Sequence, residues 1–535
     1  MKSILFIIMI FVMSCTNSQN HNNKSSTSKE SSQLTNNFNS EIKFENKEFF
    51  KEEENFKDNR FSVLKDENKK SSENKKTNLY ELTKPNIKNI DKDNYPVIVS
   101  DEYYYGQVNH LVNKEKIDFS NEKESLNFYK YNTIRAYGSN APFFRWNFSL
   151  KEAEFTALLN KNLKKYSSDV KTLVNNTWVK KEVPNNPVGT LKSIRVTERD
   201  QSGLVTTIRV EGTKGVYLFN DKYNSRKFLG GGNYTVYSSS PKKVLLKNPS
   251  SAPSGFLAFE KVGESYNFYG GGYGHGVGMA QAGAQDMSRN FNKNYAEILK
   301  FYYPHANIKT FDNKTARVAI TGNDSSTQHK LVKLVSKNKM VVDFKNKQTE
   351  VAPGNRLEFK MNGKNLEFYN NGKLVLKGSG VAKIASSNSL IGVPSVKKEH
   401  VKTKFPYYPG TLEVKPLTNG KVNLINEVSV EEYLEYVVPS EMSSDFGVEP
   451  LKVQSIAART YTLKNLSLAT LRANGYHIDD TPKYQAYNLV DKNSYSTQAV
   501  KETQGMVLVS QGKYIDAQYY STTSGFGVVS DQIIK

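Results

Sequence analysis

Apolar positions change their spacing several times along this chain. From Ile4 to Met13 they are continuous, from Thr16 to about Asn94 they are sparse and follow no period, and beyond residue 95 short alternating runs are interleaved with stretches at helical spacing. The alternating runs predict strands at Leu191–Thr197, Val205–Val210, Met340–Phe344, Leu374–Lys377, Lys421–Ile425 and Met506–Val509, each bounded by Gly, Asn, Asp or Lys-rich turns. Helical spacing predicts helices over Leu150–Tyr166 with Ser149 as N-cap, Ala280–Arg289, Tyr295–Tyr302, Val430–Val437 and Pro450–Leu466. The predicted class is α+β: a β-rich folded region with a few amphipathic helices, preceded by a disordered tether.

Composition sharpens this picture. With 535 residues the chain exceeds one ordinary domain, and its 12% aromatic content, mostly 32 Tyr and 28 Phe, supplies the bulk for packed cores. The single Cys excludes an intrachain disulfide, a Cys-based zinc site and a CxxC redox pair. A formal charge of +21 favours a polyanionic partner: nucleic acid, an anionic membrane or an anionic wall polymer.

The amino terminus narrows that choice. Lys2 precedes an apolar run too short to span a bilayer but of signal-peptide length, and Val12-Met13-Ser14-Cys15 resembles a bacterial lipobox. Residues 1–15 are therefore expected to be a lipoprotein signal, with Cys15 lipidated and the chain exported and membrane-anchored. Nucleic acid becomes a poor candidate partner. Residues 16–94, rich in Asn, Ser, Lys and Glu, form the expected tether, with a random-coil reach of roughly 50 Å.

Two segments carry candidate chemistry. In YGGGYGHGVGMAQAGA, Tyr269–Ala284, six glycines surround His275, and Gln281 follows. Such a loop permits close approach of backbone amides to a ligand, though a tight turn explains it equally well. No GK[ST] follows, which excludes a P-loop. In VVPSEMSSDFGVEPLKVQSIAARTYTL, Val437–Leu463, Pro439 is expected to stop the preceding helix and Ser440 to cap the next. Glu441 stands beside Met442 and Phe446, where an apolar wall can raise its pKa towards that of a general acid; a surface Glu is ordinarily just solvated. The helix opened by Glu449-Pro450 bears Gln454, Arg459 and Tyr461, groups suited to hydrogen-bonding sugars.

Together, VPSEM…EPLKVQSIAARTY and GYGHGVGMAQAGAQDM…YAEILKFYYP resemble the SpoIID/LytB family (stage II sporulation protein D and amidase enhancer LytB). The likeness extends to Val318–Pro416, Asn423–Leu434, Lys483–Tyr487, Ala499–Val509 and Ala517–Gly525, and on the other side to Phe143–Trp146 and Leu191–Gly212. In the family the acid-bearing half comes first. Here residues 95–312 resemble the second half, 313–416 a β-rich lead-in and 417–535 the first half. The order is thus circularly permuted, with complementation between chains or a misjoined gene as the alternatives.

The resemblance implies lytic cleavage of peptidoglycan glycan strands whose stem peptides an amidase has removed. It places Glu441 as the acid and base yielding 1,6-anhydro-muramic ends, and His275, Gln281, Arg459, Tyr461, Gln485, Tyr519 and Ser521 near the cleft. Each neighbour also has a plain structural role open to it: a turn histidine, core tyrosines, a buried ion pair for Arg459. Asp445 and Glu449 read as helix-start acids rather than as a second catalytic carboxylate. Family zinc sites use Cys and His ligands; with His477 and Asp479 but no Cys in the corresponding region, neither metal nor other cofactor is expected. The partners implied are glycan strands, an N-acetylmuramoyl-L-alanine amidase and the membrane. A non-catalytic, amidase-enhancing wall-binding module is the alternative, and a basic DNA-uptake or anionic-lipid protein rests on charge alone.

Overall fold

The computed structural model describes residues 110–528 apart from 114–115, 132–133, 222–223, 240, 388–389 and 468–474. The expected signal peptide, Cys15 and the tether lie outside the described residues. Eight helices are described: α1 Glu122–Lys130, α2 Glu152–Lys165, α3 Ser225–Phe228, α4 Gln281–Phe291, α5 Tyr295–Tyr302, α6 Val430–Glu441, α7 Val448–Leu466 and α8 Ser494–Glu502. With the many strands around them they make the β-rich α+β fold that the spacing predicts.

Two large cores organise the chain. The first gathers Phe143 to Tyr273 around two five-stranded sheets. One sheet runs Val244–Lys247, Thr235–Ser238, Trp146–Lys151, Ser265–Gly270, Leu257–Val262. On it Phe148 stacks between Tyr234 and Phe268, with ring centroids 4.1 and 4.5 Å away. The other runs Thr177–Val179, Val170–Val174, Val216–Asn220, Val205–Gly212, Leu191–Arg199.

The second core gathers Met279 to Tyr520. Its main sheet places Thr411–Pro416 and Val422–Ser429 side by side with Thr315–Ala319, so the expected boundary at 416/417 falls inside a hairpin, and the lead-in and acid-bearing segments share one sheet. Helices α4, α5 and α8 pack on α7, which is buried along most of its length. A smaller third cluster joins Leu111, Phe128 and Phe144 to Phe526 and Val528. There the first and last described residues meet: His110 N–H donates to Gly525 O at 3.0 Å and Val528 N–H to Gly276 O at 2.8 Å.

All six predicted strands form, and the helices shift in instructive ways. Ser149 does not cap α2, because the strand Trp146–Lys151 continues past it in register with Ser265–Gly270, and Ser149 Oγ donates across the ladder to Asn267 Oδ1 at 2.6 Å. The helix instead starts at Glu152, and Glu154 accepts from Lys151 N–H. Pro439 does not stop α6 either. So near the end of the helix, proline removes a single intrahelical bond, while Met442 N–H still donates to Val438 O at 2.9 Å. Ser440 therefore caps nothing; its hydroxyl donates back to Tyr436 O at 2.7 Å. Helices α1, α3 and α8 have no counterpart among the predicted elements. The first and last of these open on Asn caps, Asn121 and Asn493, and α3 is a single turn of four residues.

Candidate active site

The continuation of α6 through Pro439 sets the position of Glu441, which is the last residue of that helix rather than part of a loop. Its side chain is buried at 7% exposure, and Oε1 accepts from Ala486 N–H at 2.6 Å. Burial pushes its pKa up to about 7, against the opposing effect of that one hydrogen bond. No cation pairs with it among the described residues. The carboxyl is thus poised between its two protonation states near neutral pH.

Three phenols share its surroundings. Burial raises the pKa of Tyr433, Tyr461 and Tyr519, and the Glu441 charge adds to each. All three remain neutral donors. Gln485 ties the group together: it is fully buried, its Oε1 accepts from Thr462 Oγ1 at 2.7 Å and Tyr433 OH at 3.3 Å, and its Nε2 lies 3.2 Å from Tyr519 OH. Gln485 therefore orients the tyrosines and is itself sealed from solvent. Tyr433, Thr462 and the Ala486 amide are not singled out by the sequence, although each lies within one of the family-like segments, Asn423–Leu434, Val437–Leu463 and Lys483–Tyr487.

Gln281, the first residue of α4, is a strut of the same kind. Its Nε2 donates to Glu441 O at 3.2 Å and to Gln454 Oε1 at 3.1 Å, so α4 grips the end of α6 and the side of α7 at once. Both glutamines are buried. Arg459 belongs elsewhere: its guanidinium makes a two-pronged ion pair with Glu431, each contact 2.7 Å, and donates to Met506 O at 3.1 Å. It is a buried ion-pair partner with no surface to offer a substrate. Glu449 accepts from Tyr295 N–H at 2.7 Å, fixing α5 against α7, and Lys452 holds its other oxygen. His477 Nδ1 accepts from Arg317 N–H at 3.2 Å, and Asp479 binds Thr481.

The glycine loop serves packing. Met279 and Ala280 pair in parallel with Tyr519 and Tyr520, and Tyr273 bridges Thr522. The glycines allow this second strand to come close. A Cβ on Gly278, at φ +73°, would lie 2.0 Å from Gln518 O, and one on Gly272 would lie 2.7 Å from Thr522 O. The expected ligand cradle is thus filled by the chain's own residues 518–524.

His275 stands exposed on this loop, its Nδ1 accepting from Val277 N–H at 3.1 Å and its ring 5.7 Å from that of Tyr520. The dense protein beneath the ring lowers its pKa, the Arg226 charge lowering it further, against the opposing effects of a hydrogen bond with the Tyr519 backbone and the Asp516 charge. Ser521 is half-buried and accepts at its carbonyl from Ala282 N–H at 3.0 Å. Gly278→Ala is expected to destabilise the protein by about 3 kcal/mol or more in chemical denaturation. The matching change at Gly263, where φ is +57° and no atom lies within 4 Å, should cost only about 1 kcal/mol.

Residues 418–509 match the family model described as Stage II sporulation protein (SpoIID), and residues 84–278 match one described as Domain of unknown function (DUF8618). The second match ends where the first core, closing at Tyr273, gives way to the second, opening at Met279. An uncharacterized protein of Brachyspira hyodysenteriae is 39% identical over 119 residues, 22% of this chain and 32% of that protein. The Amidase enhancer of Bacillus subtilis is 34% identical over 100 residues, 19% of this chain and 13% of its own length. Stage II sporulation protein D of Bacillus amyloliquefaciens is 33% identical over 125 residues, 21% of this chain and 36% of that protein. The chain therefore spans about a third or less of each of these relatives. No solved structure matches it. Helices α6 and α7 and Glu441 thus lie within the stretch similar to the SpoIID family model, residues 418–509, and α4 and α5 from outside that stretch pack against it.

Proposed function

We propose that this protein is a peptidoglycan lytic transglycosylase acting on glycan strands stripped of their stem peptides. The observation that carries this reading is Glu441, a buried carboxyl that pairs with no cation among the described residues and has its pKa near neutrality. Protonated Glu441 donates to the glycosidic oxygen as the bond to C1 breaks; the muramic C6 hydroxyl attacks C1, and its proton returns to the carboxylate. A 1,6-anhydro end forms, the enzyme regains its starting state and no water is consumed. One carboxyl suffices. A hydrolase would need a second at a set separation, and the neighbouring acids have other partners: Glu449 with Lys452 and Asp516 with Lys464. Of the three phenols near Glu441, Tyr461 and Tyr519 keep some exposed surface that a sugar could meet, whereas Tyr433 is fully buried.

Lipidated Cys15 would hold the enzyme at the membrane, with an N-acetylmuramoyl-L-alanine amidase supplying its substrate. The order of segments reads as a permutation, supported by the packing of the glycine loop on residues 518–524 within one chain. The name of the Bacillus subtilis relative favours a second reading, a wall-binding module that enhances an amidase without cutting glycan. Mass spectrometry separates the two. Denuded strands incubated with the protein should yield anhydro-muramic ends, intact strands far fewer, and Glu441→Gln none. Bound but uncut denuded strands would favour the enhancer.

A further inference from the structure

The sheet built from Thr177–Val179, Val170–Val174, Val216–Asn220, Val205–Gly212 and Leu191–Arg199 covers the first core with only one face. Val170, Tyr217, Phe219, Ile208, Val210, Ile194 and Val196 point inward. The register fixes what the other face presents. Lys171 lies opposite Leu218, Leu218 opposite Arg209 and Arg209 opposite Arg195, a straight row across four strands, about 14 Å long. Beside it Leu173 faces Trp178 on the edge strand. Lys171 and Arg195 are exposed, while Trp178, Leu173, Leu218 and Arg209 are half-exposed. None of these residues belongs to the site around Glu441.

We propose that this face binds a glycan strand carrying carboxylates, such as the muramic lactyl groups left when stem peptides are removed. The mixture of groups favours that occupant. An indole flanked by aliphatic side chains suits the C–H face of a sugar ring, and cations spaced along a row suit sparse carboxylates. Arg209 is already paired with Glu211 at 3.2 Å, whereas Lys171 and Arg195 make no ion pair among the described residues. Glu211 and Glu198 on the same face disfavour a polymer as densely charged as nucleic acid. A strand held here would stay with the protein between cuts. The choice of a denuded strand rests on the function proposed above, but the binding itself is measurable without turnover.

The chain provides its own probe. Of its two tryptophans, Trp146 is fully buried, so a ligand-induced change in indole emission reports Trp178. The full chain bearing Glu441→Gln, which leaves strands uncut, is titrated with soluble denuded glycan. Emission should change, and Trp178→Phe should remove the change. Trp178→Ala should weaken binding about thirtyfold, and Lys171→Glu with Arg195→Glu about tenfold. Neutral N-acetylglucosamine oligomers should bind at least about tenfold more weakly than denuded strands. Unchanged Trp178 emission on glycan-bound protein, equal affinity for the neutral oligomer, equal affinity for duplex DNA, or charge reversals without effect in natively melting variants would each overturn the proposal. Loss of cleavage by the unmodified chain would bear only on Glu441, since this readout needs none.

Discussion

Replacing Glu441 with Gln is expected to slow glycan cleavage by about three orders of magnitude and, at pH 8, to make the protein more stable. Both effects come from the same burial. The acid step needs the protonated carboxyl, so the rate of the unmodified protein should fall as pH rises past about 7. Below the unfolded pKa of 4.5 the group is protonated in both states and costs nothing. Between 4.5 and about 7 the unfolded chain sheds its proton more readily than the folded one, so stability declines with pH and levels off above about 7. The full difference is about 3 kcal/mol. Gln cannot ionise and still presents an oxygen to Ala486 N–H, so it should recover most of that difference at pH 8 and none at pH 4. Melting the two proteins at both pH values tests this, and equal melting differences at the two would show that Glu441 does not titrate near neutrality in the fold.

Arg459→Met should act through folding and leave substrate recognition alone. It strips Glu431 of both of its 2.7 Å contacts in a site where the arginine is about 1% exposed, which is expected to cost about 3–5 kcal/mol. Activity per folded molecule, measured at low temperature, should keep its KM. A raised KM without loss of stability would return Arg459 to the cleft. Glu431→Gln should be milder, because the amide keeps one acceptor for the guanidinium.

The contrast between these two residues shows what was legible in the sequence. Strands such as Met340–Phe344 and Met506–Ser510 were readable because alternation is local. Glu441 was readable as a candidate acid through its motif, and Tyr461 and Tyr519 as its neighbours; the neighbouring phenol of Tyr433 and the Ala486 amide that bonds the carboxyl were not. Arg459 looked like a sugar ligand because its partner Glu431 stands 28 residues earlier, on another helix, where no periodicity points to it. The glycines of Tyr269–Ala284 were rightly seen as permitting close approach. What approaches is Gln518–Ser524, some 240 positions away, and nothing local distinguishes that from a ligand.

That same separation governs when the site can exist during synthesis. At about 5–20 residues per second, the ribosome needs roughly 12–48 s to travel from Met279 to Tyr519, its partner in the ladder. Until then the glycine loop has no strand to lie against, Gln281 has been waiting since before Glu441 emerged, and Tyr519 is missing from the phenols around the acid. A nascent or prematurely ended chain therefore lacks this arrangement, and the candidate acid acquires its surroundings only when nearly the whole described chain has been made.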